Sequence, residues 1–102
     1  MEIKEIRACL ERGAFSGTDH ALTEGFKDGI TAADMVKVVQ TGKIIERYPE
    51  RHRCLVFGRN SDGIPVHVVP DFRSRQSVDI VTAYIPQKDQ WIRSQVRKKR
   101  KR

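Results

Sequence analysis

The chain has 102 residues, of which 38% are hydrophobic and 32% are charged. This length provides one domain with a single core, and the composition is typical of a small globular protein, not of a disordered one. No apolar run approaches the roughly 20 residues that a membrane helix needs, and the charged N-terminus lacks the apolar stretch of a secretory signal. We therefore expect a cytoplasmic protein with no membrane association.

The net charge of +7 arises at the C-terminal end of the chain. Residues 92–102 carry seven basic side chains and no acidic one, whereas residues 1–91 carry 13 of each sign. We therefore divide the chain into one domain at 1–91 and a basic tail at 92–102. Such a tail attracts polyanions without reading their sequence. The alternative is a solvated terminus that only aids solubility.

Three helices are predicted in the first 42 residues. Apolar residues at helical spacing indicate a helix over 2–12, and a second helix over 20–28 follows a loop at 15–18. The third helix begins at Thr31, where the sequence fits a capping box, and ends at Gly42.

The pattern changes from helical to extended after the third helix, and four strands are predicted there. They cover residues 43–48, 53–59, 64–70 and 78–85. The segment around Trp91 is a candidate for a short C-terminal helix. Helices followed by consecutive strands predict an α+β fold, in which N-terminal helices pack on one face of a four-stranded antiparallel sheet.

The histidines are candidates for acid–base chemistry because imidazole titrates near neutral pH. His20 lies in the first turn of the second helix, whose N-terminus disfavours the charged form, and its alternative is an exposed or capping role. His67 shares a strand face with Val69, and it either lines a cleft or makes a structural pair with a neighbouring strand. Tyr84, in the last strand, is a candidate for base stacking or proton donation, with packing as the alternative. His52 is expected to be solvated.

Arginine guanidinium groups bind phosphates through paired hydrogen bonds. Arg53 and Arg59 lie at the two ends of the second predicted strand, at an even spacing that places both on one face. The tail adds four further candidates for nucleic-acid binding, namely Arg97, Lys98, Lys99 and Arg100.

No sequence motif supports a metal or a cofactor. Cys9 and Cys54 have no metal-binding spacing, and no glycine-rich phosphate loop is present. We therefore expect neither a metal nor a cofactor. The histidine, arginine and tyrosine candidates are sufficient for metal-independent RNA cleavage, in which the 2′-hydroxyl of the RNA attacks the adjacent phosphorus.

Six short strings occur in a characteristic order along residues 3–91. They are HAL at 20–22, DGIT at 28–31, GKIIERYP at 42–49, CLVFG at 54–58, PVHVV at 65–69 and IVTAYIP at 80–86. Together they resemble a widespread bacterial family of unknown function whose members often lie beside MqsA/YgiT-type zinc-finger antitoxins.

The resemblance implies the toxin of a type II toxin–antitoxin pair. It implies a RelE/MqsR-like α+β fold, mRNA endonuclease activity and a cognate antitoxin that masks the active surface. Many members carry basic residues in the helix after the His-Ala pair, where this chain has Glu24 and Asp28. The resemblance therefore does not extend to phosphate binding by this helix.

These observations leave three hypotheses. The first is a ribonuclease in which His20, His67 and Tyr84 carry the chemistry and the arginines bind RNA, which requires these side chains to reach one phosphodiester. The second is a non-catalytic module that binds a protein partner through its body and nucleic acid through its tail. The third is a domain in which His20 and His67 are merely structural.

Overall fold

A computed structural model of the chain describes residues 2–99, which include three helices. These are α1 (Ile3–Glu11), α2 (Asp19–Lys27) and α3 (Ala32–Thr41). Thr18 caps α2 by accepting a hydrogen bond from the Ala21 amide, and Thr31 and Asp34 form the capping box of α3. All three predicted helices and the predicted capping box are confirmed. No helix within residues 2–99 is long and apolar enough to cross a membrane.

Five strands form one mixed sheet in the order β1-β5-β4-β3-β2. They are β1 (Phe15–Gly17), β2 (Lys43–Tyr48), β3 (Arg53–Arg59), β4 (Pro65–Asp71) and β5 (Val78–Tyr84). A 3-10 turn at Pro49–Arg51 connects β2 to β3. The four predicted strands are confirmed to within one residue at each end, and all their pairings are antiparallel.

The prediction of a four-stranded antiparallel sheet is wrong because β1 adds a fifth strand, and this strand runs parallel to β5. Ser16 and Gly17 favour turns, so the sequence predicts a loop for this segment. Its strand conformation depends on distant partners. The Ser16 hydroxyl donates to the Asp79 carboxylate at 2.7 Å, and the Thr18 amide donates to the Ile80 carbonyl. A pairing between such distant segments leaves no local pattern in the sequence.

The segment around Trp91 forms a β-hairpin instead of the short helix considered for it. Strands β6 (Trp91–Ile92) and β7 (Val96–Arg97) pair antiparallel as a separate two-stranded sheet, which we call the C-terminal hairpin. Arg93 and Ser94, at its turn, have φ angles of 51° and 63°, which a right-handed helix does not allow. The hairpin also crosses the predicted boundary between the domain and the tail at 91/92.

The three helices pack on one face of the five-stranded sheet, and the core lies between the two layers. Ile6, Met35 and Val38 are fully buried on the helix side. The sheet contributes alternate residues of its central strands to this core, among them Cys54, Val56, Val66, Val68 and Ala83. The α+β architecture with helices on one face is therefore confirmed.

The opposite side of the sheet, which we call the distal face, carries the other residues of each strand. Strand β3 places Arg53 and Arg59 on it together with Leu55 and Phe57, as the spacing predicted. The strand register then puts His67 of β4 between Phe57 of β3 and Tyr84 of β5. The predicted candidates His67, Tyr84, Arg53 and Arg59 therefore share one face of the sheet.

Candidate active site

His67 lies at the centre of the distal face and is fully buried. Its Nε2 is 2.5 Å from the carbonyl oxygen of Ser94 in the C-terminal hairpin, and its Nδ1 is 3.1 Å from the Tyr84 hydroxyl. A carbonyl oxygen only accepts hydrogen bonds, so Nε2 carries the proton and donates it. In the neutral ring Nδ1 then accepts from the Tyr84 hydroxyl, which fixes the tautomer.

Aromatic rings enclose the imidazole of His67. The Trp91 ring packs edge-to-face against it with centroids 4.4 Å apart, and the Tyr84 and Phe57 rings lie at 5.2 and 6.2 Å. Burial lowers the pKa of His67 from 6.5, while the bond to the Ser94 carbonyl and the charge of Glu46 oppose this shift without cancelling it. His67 is therefore neutral at pH 7 in this arrangement.

This lowered pKa of His67 predicts a pH-dependent free energy of unfolding. The unfolded chain binds a proton on His67 near pH 6.5, whereas the folded chain binds it only at lower pH. The contribution of His67 to the free energy of unfolding is therefore present above pH 6.5 and is lost as the pH falls through the folded pKa. The free energy of unfolding then changes by at most about 1.4 kcal/mol per pH unit. Urea denaturation between pH 7 and pH 5 measures it. His67→Gln should remove this dependence of the free energy of unfolding on pH, whereas His20→Gln should keep it. A wild-type free energy of unfolding that does not change between pH 7 and pH 5 would contradict the lowered pKa of His67.

Glu46, Tyr48 and Arg97 form a second polar group beside His67. The Arg97 guanidinium donates to both oxygens of the Glu46 carboxylate, at 3.0 and 3.3 Å, and the Tyr48 hydroxyl also donates to this carboxylate. Arg97 also lies over the Trp91 ring, 4.6 Å from its centroid. This group is more accessible than His67, because Arg97 is exposed and Glu46 and Tyr48 are only partly buried.

The pKa values of this group follow from its hydrogen bonds. Burial raises the pKa of Glu46, but the hydrogen bonds from Arg97 and Tyr48 lower it by more, so the carboxylate is ionised at neutral pH. Burial and the bond to Glu46 raise the pKa of Tyr48 to about 12. Glu46 is thus an ionised carboxylate that can accept a proton, but its lowered pKa makes it a weaker base than a free carboxylate, and Tyr48 is a hydrogen-bond donor that keeps its proton.

We call His67, Tyr84, Glu46, Tyr48 and Arg97 together the distal cluster. It combines an imidazole, an ionised carboxylate, two phenols and a guanidinium on one sheet face. A base, an acid and a cation are the groups that phosphodiester cleavage by an internal hydroxyl needs. The C-terminal hairpin covers the His67 side of the cluster and leaves the Arg97 side exposed.

His20 is not part of this cluster. It is exposed on α2, in the helical layer, whereas His67 is buried on the other side of the sheet. An acid and a base must both reach one reacting centre. The structure therefore does not bring His20 and His67 together as an acid and a base.

Arg53 and Arg59 share the distal face but do not meet. Six residues separate them along β3, or roughly 20 Å in an extended strand. The Arg53 guanidinium forms an ion pair with Asp71 at 2.8 Å, on the wall of a polar cavity of about 450 Å³. Arg59 donates to the Gly63 carbonyl at 3.0 Å beside the Phe57 ring. The two arginines therefore cannot bind the same phosphate together.

The four tail candidates have different positions. Arg97 belongs to the distal cluster, while the side chains of Lys98 and Lys99 are exposed just after the hairpin. The Lys98 amide donates to the Gln90 carbonyl and closes the hairpin base. Arg100 lies outside the described residues.

Sequence reasoning missed Glu46, Tyr48, Trp91 and Ser94. A signal existed for the first two, because their spacing of two places them on one face of a correctly predicted strand. Trp91 and Ser94 gave no signal, since their role depends on a hairpin that folds back over the sheet. Ser94 contributes only its backbone carbonyl, which any residue provides.

Cysteine and metal chemistry receive no support from the described part of the chain. Cys9 and Cys54 are both buried and unpaired, and burial raises the pKa of the Cys54 thiol to about 11. The Cys54 thiol is therefore not a nucleophile at neutral pH, and burial keeps the Cys9 thiol from substrates. Within residues 2–99, no three His, Cys, Asp or Glu side chains are grouped as a metal site would require.

Comparison with known proteins gives one family. The family model described as "Domain of unknown function (DUF4258)" matches residues 18–85, which contain α2, α3 and strands β2 to β5. The matched segment includes four members of the distal cluster, but ends before the C-terminal hairpin with Arg97. No curated protein and no solved structure shows a significant match to the chain.

Proposed function

The chain belongs to this domain family of unknown function, and we propose that it is the toxin of a type II toxin–antitoxin pair that cleaves mRNA as a metal-independent endoribonuclease. The observation that carries the ribonuclease assignment is the distal cluster, which gathers a base, an acid and a cation on one sheet face. The toxin assignment is supported by the order of sequence strings, which resembles a family whose members often lie beside zinc-finger antitoxins.

In this proposal Glu46 and His67 replace the acid–base pair expected from the sequence. The Glu46 carboxylate accepts the proton of the RNA 2′-hydroxyl, and the 2′-oxygen forms a bond to the adjacent phosphorus. The bond from phosphorus to the 5′-oxygen breaks, and that oxygen takes a proton from His67. The ring is neutral while it is buried, and it binds the second proton from solvent when it is uncovered and the negative phosphodiester lies beside it. The products are a 2′,3′-cyclic phosphate and a free 5′-hydroxyl. Glu46 loses its proton to solvent and His67 regains one.

The other cluster members stabilise charge and position the RNA. The Arg97 guanidinium exchanges the Glu46 carboxylate for a phosphate oxygen, on which negative charge develops in the transition state. The Tyr84 hydroxyl orients the His67 ring through Nδ1. Tyr48, at the partly exposed rim, offers a ring for base stacking. The exposed Lys98 and Lys99 add attraction for the RNA backbone.

The experiment that tests the ribonuclease assignment uses the full chain, a chelator and two matched oligonucleotides. One is single-stranded RNA, and the other carries a single 2′-deoxy substitution at the cleaved position. We expect cleavage of the RNA to a 2′,3′-cyclic phosphate and none of the substituted strand, because the attacking hydroxyl is missing. Cleavage of both strands, or loss of all cleavage on chelation, would contradict the mechanism.

A second candidate is a non-catalytic module that binds RNA or a protein. It is favoured by the complete burial of His67, both of whose ring nitrogens already have partners. The same experiment decides between the two candidates. Binding of both oligonucleotides with equal affinity and no cleavage would support the module.

The proposed toxin requires a cognate antitoxin. Its partner would be a small protein encoded beside it, which covers the distal cluster and so excludes RNA. We favour the distal face over the helical layer as the antitoxin-binding surface, because the groups that the proposed chemistry uses all lie on the distal face.

A further inference from the structure

The C-terminal hairpin contacts both groups to which the proposed mechanism assigns proton transfer. The Ser94 carbonyl oxygen accepts from His67 Nε2 at 2.5 Å, and Arg97 holds both oxygens of the Glu46 carboxylate. Trp91 fills the space above the imidazole and is only 3% exposed. One short segment therefore masks the acid and the base at the same time.

These contacts resemble those that a bound phosphodiester would make. An acceptor oxygen occupies the position at Nε2 where the leaving oxygen of RNA would receive a proton. A flat aromatic ring beside it occupies the space that a nucleobase would fill. We propose that the C-terminal hairpin is an autoinhibitory strap that occupies the substrate position over His67 and Glu46, and that single-stranded RNA displaces it. The identity of the displacing ligand rests on the proposed function.

The hairpin has few anchors. Each of its strands is only two residues long, and a two-stranded ribbon of this size is not stable alone in water. Its outward-facing pair, Ile92 and Val96, is 50% and 58% exposed, so little apolar area on that side holds it in place. Trp91 is its one fully buried side chain, which makes this ring the main anchor of the strap.

The turn of the hairpin is also strained. Arg93 and Ser94 both have positive φ, a region that is unfavourable for a residue with a side chain. Glycine adopts this conformation without that cost. The closed hairpin is therefore held less firmly than an equivalent hairpin with glycine at the turn would be.

The charges on the strap favour displacement by a polyanion. Arg93, Arg97, Lys98 and Lys99 are all exposed and lie within or directly after the hairpin. Within the described residues, the ion pair of Arg97 with Glu46 is the one salt bridge that the hairpin makes. RNA phosphates compete for the same guanidinium. Arg97 then stays on the phosphate as the rest of the strap is displaced, and the released Glu46 carboxylate is available as a base.

The closed and open states are distinguished by the reactivity of the three histidines toward diethyl pyrocarbonate. This reagent modifies accessible neutral imidazole, and mass spectrometry resolves the modified positions. His20 and His52 are exposed and serve as references within the same molecule, whereas His67 reacts only after the strap opens.

Two variants move the opening equilibrium in opposite directions. Trp91→Ala removes the anchor and should speed modification of His67 by at least roughly tenfold. Ser94→Gly keeps the backbone carbonyl, relieves the turn and should slow modification roughly threefold. His52→Gly is the matched control, because His52 also has positive φ, at 54°, but lies in the β2–β3 connection. It should leave the modification rate of His67 unchanged.

The affinity for a 2′-O-methyl oligoribonucleotide, which is not cleaved, should follow the same order, with Trp91→Ala binding most tightly and Ser94→Gly least. Equal rates of diethyl pyrocarbonate modification at His67 in wild type and in both variants would contradict the proposed strap. Modification of His67 in wild type as fast as that of His20 would contradict it too. Urea denaturation checks that Trp91→Ala is folded. Should it unfold, Ser94→Gly still tests the strap.

The outcome for the strap is separable from that for the proposed function. If His67 reactivity and oligonucleotide affinity follow the expected order but no variant cleaves RNA, the strap stands and the ribonuclease assignment fails. If RNA is cleaved at equal rates in all variants, the ribonuclease assignment stands and the strap fails.

Discussion

Glu46→Gln is expected to reduce RNA cleavage by roughly 10²- to 10⁴-fold, the usual contribution of a general base. Glutamine has nearly the shape of glutamate, and its one carbonyl oxygen can still accept from Tyr48 and from one guanidinium nitrogen of Arg97. It loses the bond from Arg97 Nε, and it does not take up the proton of the 2′-hydroxyl. Single-turnover cleavage of the RNA oligonucleotide measures the effect, because it isolates the chemical step from product release.

Two comparisons make the loss in Glu46→Gln specific. His20→Gln, which changes an exposed histidine in the helical layer, should keep full activity. Diethyl pyrocarbonate modification of His67 should be at least as fast in Glu46→Gln as in wild type, since a neutral amide holds Arg97 less tightly. A cleavage rate within fivefold of wild type for Glu46→Gln would exclude Glu46 as the base. A large loss of cleavage in His20→Gln would indicate that the catalytic groups lie in the helical layer.

The second large effect is expected on stability, from Gly42→Ala. Gly42 ends α3 where this helix passes β3, and an added Cβ would overlap the Phe57 carbonyl oxygen and come within 2.6 Å of the Val38 carbonyl oxygen. Both obstacles are backbone atoms in regular elements, so neither moves aside easily. We expect a loss of roughly 3 kcal/mol in the free energy of unfolding, as for severe overpacking.

Gly13→Ala is the control for this prediction. Gly13 has a positive φ of 76° and no neighbouring atom within 4 Å of an added Cβ, so only backbone strain opposes alanine there. Its cost should be about 1 kcal/mol. Urea denaturation of both variants separates the two causes. Equal losses would show that the close approach at Gly42 relaxes.

Most of the helical layer and the four antiparallel strands were predictable because their signals are local. Alternation and β-branched residues defined β3 and β5, and the capping box at Thr31 defined the start of α3. β1 and the C-terminal hairpin were not predictable in this way. Their conformations depend on pairing with β5 and on packing against His67, which lie far from them in the sequence.

The candidate site was predicted in part for the same reason. Strand alternation placed Arg53 and Arg59 on one face of their strand, because a period of two is local information. That His67 and Tyr84 lie on the same face of the sheet follows from the register of β3, β4 and β5. Strand alternation did not show that His20 lies on the opposite side of the sheet from His67, since that follows from the packing of α2. It also did not show that Arg97, expected in a free tail, returns to pair with Glu46.

The place of β5 between β1 and β4 has a consequence for synthesis on the ribosome. β1 is made first among the strands, yet its pairing partner is β5, the last strand of the main sheet. A nascent chain that ends before Val78 lacks β5, so no strand lies between β1 and β4 to connect them in the sheet. The complete sheet therefore assembles only after β5 has emerged from the ribosome, and the distal face forms no earlier.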